Sequence, residues 1–321
     1  MGVKQAAPKI HLTSFAVPQL AFLLRALARA DTPGQAGLTE LESRIVIELQ
    51  HYGELTMTSV VGLVGNDKSQ VSRALTRLRA AKIVRREELR SPLALTSHGG
   101  NVAARMQAGG RRHNRLVLTG VEEGDQAFFM TVLSHFTRRA ELLLQEERRL
   151  DADRTEDRGR KIRRVSKLEP PSMSGQMVPE IMLVRVVALA TLLHRSSSLA
   201  FKRLASLSNT DSLVLAYAWE YSPISTQQIS ELAGRGKGQI ERTAVALADL
   251  GLIERGKSLS SHDWILLRAE SGSRTYEKLI AEVNRRESVM TQDLSSAELK
   301  RFWVIHERIA GNAMSALART R

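Results

Sequence analysis

Apolar residues recur along this chain mainly at helical rather than alternating spacing. Leu41, Ile45 and Leu49 fall on one face of a helix running to about Gln50, and Val71, Leu75 and Leu78 form a stripe on a second helix from Lys68 to Ala81. Thr39, with Glu42 three residues on, makes the capping-box pattern that opens the first of these. Between the two, the pattern predicts a short segment at Leu55-Thr56-Met57, a short helix from Ser59 to Val64 and a turn at Gly65-Asn66-Asp67. Upstream, residues 15–29 read as an amphipathic or buried helix with Pro18 near its first turn, where the missing N–H has no helical partner to lose. Downstream, Ile83-Val84 and Leu93-Ala94-Leu95-Thr96 read as a hairpin, followed by helices over about 99–117 and 122–148.

The same order returns further along. At an offset of 169 positions and with no gap, nine identities link residues 42–86 to the second half, among them Ser43/Ser212, Tyr52/Tyr221, Lys68/Lys237, Gln70/Gln239, Arg73/Arg242 and Arg86/Arg255. The apolar phase is kept as well, as in Ile45/Val214, Val60/Ile229 and Val71/Ile240. Val17-Pro18-Gln19-Leu20 also echoes Val178-Pro179-Glu180-Ile181. The expected organisation is therefore two copies of one domain, 1–150 and 179–321, joined by a charged, Pro-containing linker over 151–178. Pro170-Pro171 bars a continuous helix through that linker. The run Ile181–Leu193 is the most apolar stretch, but at 13 residues with Arg185 inside it predicts a buried helix; spanning a bilayer takes about 20 apolar residues.

Helix, short turn, helix and then a two-stranded ribbon is the order of a winged helix-turn-helix, so the fold expected is mainly α, two such domains in tandem. In that unit the second helix enters the major groove and its N-terminal polar residues reach base edges. Charge supports this placement. The 321 residues carry 47 Lys and Arg against 34 Asp and Glu, a formal net charge of +13. Residues 66–90 hold eight basic side chains against three acidic ones, and the matching 235–259 hold five against three. A basic excess focused on the groove-entering element favours nucleic acid over an anionic membrane.

Copy one resembles the MarR family of bacterial transcription regulators. The resemblance lies in Glu42-Ser-Arg-Ile-Val, in Val64-Gly-Asn-Asp-Lys-Ser-Gln-Val-Ser-Arg-Ala-Leu-Thr-Arg-Leu, in Lys82-Ile-Val-Arg-Arg and in Leu93-Ala-Leu-Thr-Ser-His-Gly. Copy two matches more loosely, through Gly234-Arg-Gly-Lys-Gly-Gln-Ile-Glu-Arg and Asp249-Leu-Gly-Leu-Ile-Glu-Arg. The resemblance implies homodimer-like architecture with terminal helices at the interface and a ligand pocket beside it. Two copies fused in one chain then imply an intrachain pseudo-dimer. The family's Asp-x-Arg wing signature is absent from both copies, leaving Arg90 and Lys257 as substitutes.

The expected DNA contacts are Lys68, Ser69, Gln70, Ser72, Arg73, Arg77, Arg86 and Arg90 in copy one, and Arg235, Lys237, Gln239, Arg242 and Lys257 in copy two. Gln and Arg are the side chains suited to adenine and guanine edges. His11, Arg25, Arg185 and His194 lie on or beside the apolar first helices and are candidate effector contacts, since a polar group in an apolar surround can orient an anionic ligand.

Cys is absent, which removes thiolate catalysis and Cys-based zinc sites and fits a cytoplasmic setting. No HxxxH or HExxH pair, no GxSxG and no phosphate-loop motif occurs, so neither a metal, a cofactor nor an enzymatic activity is expected. The reading favoured is a sequence-specific repressor, released by a small aromatic or anionic effector and straddling a pseudo-palindromic operator on double-stranded DNA with two unequal lobes. It acts as a monomeric pseudo-dimer or a homodimer, with no membrane partner. The rival is a winged-helix assembly module with only nonspecific DNA affinity.

Overall fold

The computed structural model describes residues 13–30, 37–64, 68–88, 91–156, 182–233, 235–257 and 263–319. The helices are α1 (Thr13–Ala30), α2 (Glu40–Tyr52), α3 (Met57–Val64), α4 (Lys68–Ala80), α5 (Ser97–Val117), α6 (Glu123–Glu156), α7 (Met182–Ala205), α8 (Asn209–Glu220), α9 (Thr226–Ala233), α10 (Lys237–Asp249), α11 (Ser273–Thr291) and α12 (Ser296–Arg319). Short strands β1 (Val84–Arg85) and β2 (Ala94–Leu95) follow α4, β3 (Ile224–Ser225) precedes α9, and β4 (Ile253–Lys257) and β5 (Trp264–Arg268) follow α10. The order predicted for each half is present, and the fold is mainly α with two winged helix-turn-helix units. The predicted turn at Gly65-Asn66-Asp67 and Pro170-Pro171 lie outside the described residues.

Compact packing divides the chain differently from the repeat. Lobe one comprises Leu20–Arg138, Lys161–Leu192 and Leu294–Arg321, and lobe two comprises Met1–Gln19, Arg139–Arg160 and Leu193–Asp293. Each lobe therefore holds the winged unit of one half together with terminal-helix segments of both.

In lobe one, Ile45, Val46, Leu49, Val60, Val64, Val71, Ala74, Leu78 and Leu93 are buried in one cluster. Apart from Leu93, beside the ribbon, these are the apolar stripes of α2, α3 and α4, meeting because each places its apolar residues three and four apart. The box that opens α2 is closed: the Glu42 N–H donates to Thr39 Oγ1 at 3.3 Å, and the Thr39 N–H donates to the Glu42 carboxylate at 2.7 Å. The β1–β2 ribbon pairs Val84 with Leu95 and Arg85 with Ala94, and a bridge between Leu55 and Leu93 adds the segment before α3. Far-off chain completes the lobe. Phe302 of α12 is fully buried, stacked on Phe129 at 4.9 Å and edge-on to Phe136 at 5.1 Å. Asn312 donates to the Val117 and Thr119 carbonyls at 2.9 and 2.8 Å, satisfying the end of α5.

Lobe two repeats the plan with a longer wing. Val214, Leu215, Ile229, Ile240, Ala244, Leu247 and Leu266 are buried together. Strands β3, β5 and β4 form a three-stranded antiparallel sheet, with Ile253 to Lys257 paired against Arg268 to Trp264. The Arg203 guanidinium holds Glu147 of α6, which is buried, at 2.8 and 3.0 Å. The Thr13 N–H donates to Glu287 of α11 at 3.0 Å.

Matching contacts extend the repeat beyond what identity shows. The Met182 N–H donates to Asn114 of α5 at 3.2 Å, as Thr13 does to Glu287, so α1 and α7 keep the same offset of 169. The Val17-Pro18 echo is spaced eight residues shorter and is not the structural register; Val178–Ile181 themselves lie outside the described residues. Asn114 and Glu287 stand 173 apart, and so do Gly99 and Gly272. Both glycines sit where α5 or α11 crosses the end of the preceding helix-turn. A Cβ would lie 2.1 Å from the Ile83 carbonyl oxygen at Gly99 and 2.2 Å from that of Leu252 at Gly272.

This crossing gives a direct test. Gly99→Ala forces backbone apart and should destabilise the protein by about 1–3 kcal/mol, the usual cost of overpacking. Gly100→Ala, whose Cβ would meet nothing within 4 Å, should be neutral or slightly stabilising in a helix. Urea unfolding of the two variants side by side reads the difference, and equal midpoints would contradict the crossing.

Candidate nucleic-acid interface and effector cavity

Helix α4 buries Val71, Ala74, Leu75 and Leu78 against α2 and α3, which turns the rest of it outward. Lys68, Ser69, Gln70, Ser72, Arg73 and Arg77 are all exposed, and the first turn contains no acid. The helix thus offers N-terminal N–H groups, short hydroxyls and basic side chains on one solvent face, an arrangement that attracts phosphate through both the helix dipole and formal charge. Arg77 also serves the fold, because its Nε donates to Glu42, whose side chain is only 4% exposed. Burial pushes the Glu42 carboxyl up, but the Thr39 N–H and Arg77 outweigh it and hold the group below the usual carboxylate range. One arginine therefore ties α4 to the cap of α2.

Arg86 is half-buried, and its Nε donates to the Ser91 carbonyl at 2.9 Å, bracing the wing. Arg90 lies outside the described residues.

The equivalent surface of lobe two differs in charge. Lys237 opens α10, but its ammonium lies 3.3 Å from Asp263 and 3.8 Å from Glu241. Asp263, buried at the loop end of the β4–β5 hairpin, also accepts from the Thr226 hydroxyl at 2.6 Å and from the Gln227 N–H at 3.1 Å. It joins the start of α9, the start of α10 and β5. Burial pushes its carboxyl up, yet the hydrogen bonds from Thr226, Ser225 and Gln227, with Lys237, prevail and bring it down to about 2. Gln239 is half-buried and donates to Thr210 at 3.3 Å. Arg235 is half-buried beside a turn that its backbone closes with Ser230. Arg242 is exposed. Lys257 lies 5.8 Å and Arg255 4.2 Å from the ring centre of Trp264, so both cations rest over one indole.

The candidate effector residues are not brought together. His11 is outside the described residues. Arg185 faces α6, donating to the Met130 carbonyl and the Ser134 hydroxyl, each at 3.1 Å. His194 belongs to lobe two, where its ring Nδ1 meets the Asn209 amide at 2.9 Å. Arg25 lines a cavity. This space in lobe one has a volume of about 520 Å³ and is bounded by α1, α2, α5 and α7. Its apolar side is Ile47, Met106, Leu183, Val184 and Val187, and Gly109 and Gly110 add no side chain to the α5 wall between Met106 and His113. Its polar side is Arg25, Glu40, Arg44, Glu48 and His113. Arg25 and Glu40 pair at 3.0 Å. Glu48 is half-buried, and burial pushes its carboxyl up to about 7 against the pull of Arg44.

The cavity residues beyond Arg25, and the Asp263 clamp, are absent from the sequence-based site. Two signals bear on the cavity: Glu48 interrupts the Leu41 stripe seven residues on, and adjacent glycines inside a helix require a packing or functional reason. Nothing local marks Asp263.

No family model matches the chain, and no curated protein matches it. Among solved structures it is similar to the transcriptional regulator SlyA, at 23% identity over 41% of this chain and 93% of that one, with a TM-score of 0.37. It is also similar to a MarR protein from Peptoclostridium difficile, at 16% identity over 46% of this chain and 99% of that one, TM-score 0.41. The PcaV regulator from Streptomyces coelicolor, solved with its natural ligand, aligns at 18% identity over 39% of this chain and 90% of that one, TM-score 0.34.

Two carboxyls give pH predictions of opposite sign. Asp263 is depressed from an ordinary value near 3.8 to about 2, so its stabilisation is full above 3.8 and is lost as pH falls through about 2. Asp263→Asn should flatten the acid limb of the stability curve between those values. Glu48 is raised from near 4.5 to about 7, so the folded state holds the extra proton and stability falls as pH rises across that window. Glu48→Gln should remove that fall. Chemical unfolding across the two pH ranges checks both signs.

Proposed function

We propose that this chain is a cytoplasmic, DNA-binding transcriptional regulator, acting as a repressor that a small molecule releases. The observation that carries the reading is the outward face of α4: exposed Lys68, Ser69, Gln70, Ser72 and Arg73 at the N-terminus of the second helix of a winged helix-turn-helix, with no acid in the first turn. A helix of this kind reads a major groove through its first turns while flanking cations hold phosphates. Two such units in one chain suit a pseudo-palindromic operator, with the chain serving as its own dimer. The domain limits 1–150, 151–178 and 179–321 describe the duplicated gene segments in this reading, and the exchanged terminal helices join them.

The halves contribute unequally. In lobe one Lys68 and Arg73 are exposed on α4, whereas in lobe two Lys237 is drawn to Asp263 and Glu241. Binding free energy therefore comes mainly from lobe one, and the two operator half-sites differ. The cavity of lobe one is the effector site in this proposal, because it combines apolar walls with Arg25, Arg44, His113 and Glu48 in a volume suited to a small ligand. A ligand there acts only by favouring one conformation of the chain over another.

A mobility-shift titration against the DNA upstream of the gene tests the reading. Binding should weaken steeply with salt, since each neutralised phosphate adds about 0.9 to the slope of log affinity against log salt. Lys68→Glu with Arg73→Glu should lower affinity about tenfold or more, and Lys237→Glu with Arg242→Glu should lower it less. Absent or salt-independent binding would refute the function, and equal losses would refute the ranking of the lobes.

A further inference from the structure

The cavity of lobe one has a counterpart position in lobe two, because the repeat register places the walls residue by residue. Offset 169 puts Arg25 and Glu40 on His194 and Asn209, and both pairs are in contact: an ion pair at 3.0 Å in lobe one, a hydrogen bond at 2.9 Å in lobe two. The same offset carries the capping box Thr39/Glu42 onto Ser208/Asp211 and so fixes α2 on α8. Arg44 and Glu48 then fall on Leu213 and Tyr217. The offset of 173, set by Gly99/Gly272 and Asn114/Glu287, puts Gly109, Gly110 and His113 on Glu282, Val283 and Arg286.

Every one of those exchanges fills space or removes a charged wall. Where lobe one has two glycines, lobe two has the buried side chains of Glu282 and Val283. Arg286 is the largest fully buried side chain among the described residues, donating to Ser196 and lying 3.8 Å from Glu282. Arg285 pairs with Glu282 at 2.9 Å and with Glu146 at 3.2 Å, and Glu147 is held by Arg203. Tyr217 is buried where lobe one presents the Glu48 carboxyl to the cavity.

We infer that the chain carries a single effector site, in lobe one, and that the matching position in lobe two is occupied permanently by its own Glu282–Arg286 pair. This rests on reading the lobe-one cavity as a ligand site. An internal ion pair that fills a former cavity does a ligand's packing without a ligand's on–off equilibrium. Lobe two is then held in one state, and only the lobe with the more exposed recognition helix responds to the small molecule. The duplicated gene thus separates two roles that a symmetric dimer must perform twice.

The test uses the full chain and anilinonaphthalene sulfonate, an apolar anion whose fluorescence rises in a non-aqueous site. Titration should saturate at one dye per chain. The variant Gly109→Glu/Gly110→Val, which imports the lobe-two residues into the α5 wall between Met106 and His113, should weaken that binding about tenfold or more. Both glycines are buried in α5, so circular dichroism and urea unfolding verify that the variant is folded, while the dye stoichiometry is read on the unaltered chain. Arg286 is a poor first target, because removing one member of a buried ion cluster destabilises the fold. A second readout locates the dye: with methyl-labelled methionine, the Met106 resonance should shift and that of buried Met290 in lobe two should not. Two dyes per chain, or a shifted Met290, would overturn the single-site inference while leaving the effector reading intact. No saturable dye site at all would overturn the effector reading itself, and the inference with it.

Discussion

The burial of Phe302 shows what the rest of the fold depends on. Its ring is covered by Phe129 and Phe136, about 170 residues earlier in the chain, and the α12 that carries it also satisfies the carbonyls at the end of α5. A winged unit alone is a small core, and small cores bury too little apolar surface to offset chain entropy comfortably. Here each unit is finished by segments of both halves: α12 and the start of α7 in lobe one, the end of α6 and the start of α1 in lobe two. The long helices are therefore structural necessities as well as connectors. Their apolar character, extreme in α7, which by length and hydropathy alone could cross a membrane, is met by buried Met182, Val186, Leu189 and Leu193.

Covalent fusion changes what such an arrangement can do. Two identical chains would have to satisfy the same sequence in both lobes. One chain with two copies is free of that condition, and the structure records the divergence at three points. The second helix of the helix-turn-helix keeps exposed Lys68 and Arg73 in lobe one but ties Lys237 to Asp263 in lobe two. The ribbon is two residues per strand in one and five in the other. The α5 wall of the lobe-one cavity carries Gly109, Gly110 and His113, where α11 of lobe two carries buried Glu282, Val283 and Arg286. The longer ribbon carries the four-residue step from offset 169 to 173, the other two differences are substitutions, and all three leave the shared crossing at Gly99 and Gly272 untouched.

Much of this was legible in the residues themselves. The capping box at Thr39, the apolar stripes of α2 and α4, the gapless register and the basic focus around α4 are local patterns, and local hydrogen bonding and helical periodicity turn them directly into elements. The candidate contacts on α4 lie where periodicity placed them. The effector set is different. Arg25, Arg185 and His194 share an apolar sequence neighbourhood, but they face a cavity, helix α6 and Asn209 respectively. Neighbourhood along a helix does not say which neighbour each face meets.

The sequence by itself determined the two winged units, their register and the side chains turned to solvent on α4, because these follow from spacing over a few turns. Only the tertiary structure decided that the terminal helices are shared between lobes, that α1 and α7 follow the offset of 169, that Lys237 is held by Asp263, and that α1, α2, α5 and α7 enclose a cavity in lobe one. Those outcomes depend on contacts between residues tens to hundreds of positions apart, where shape and charge complementarity choose among partners that local pattern leaves equivalent.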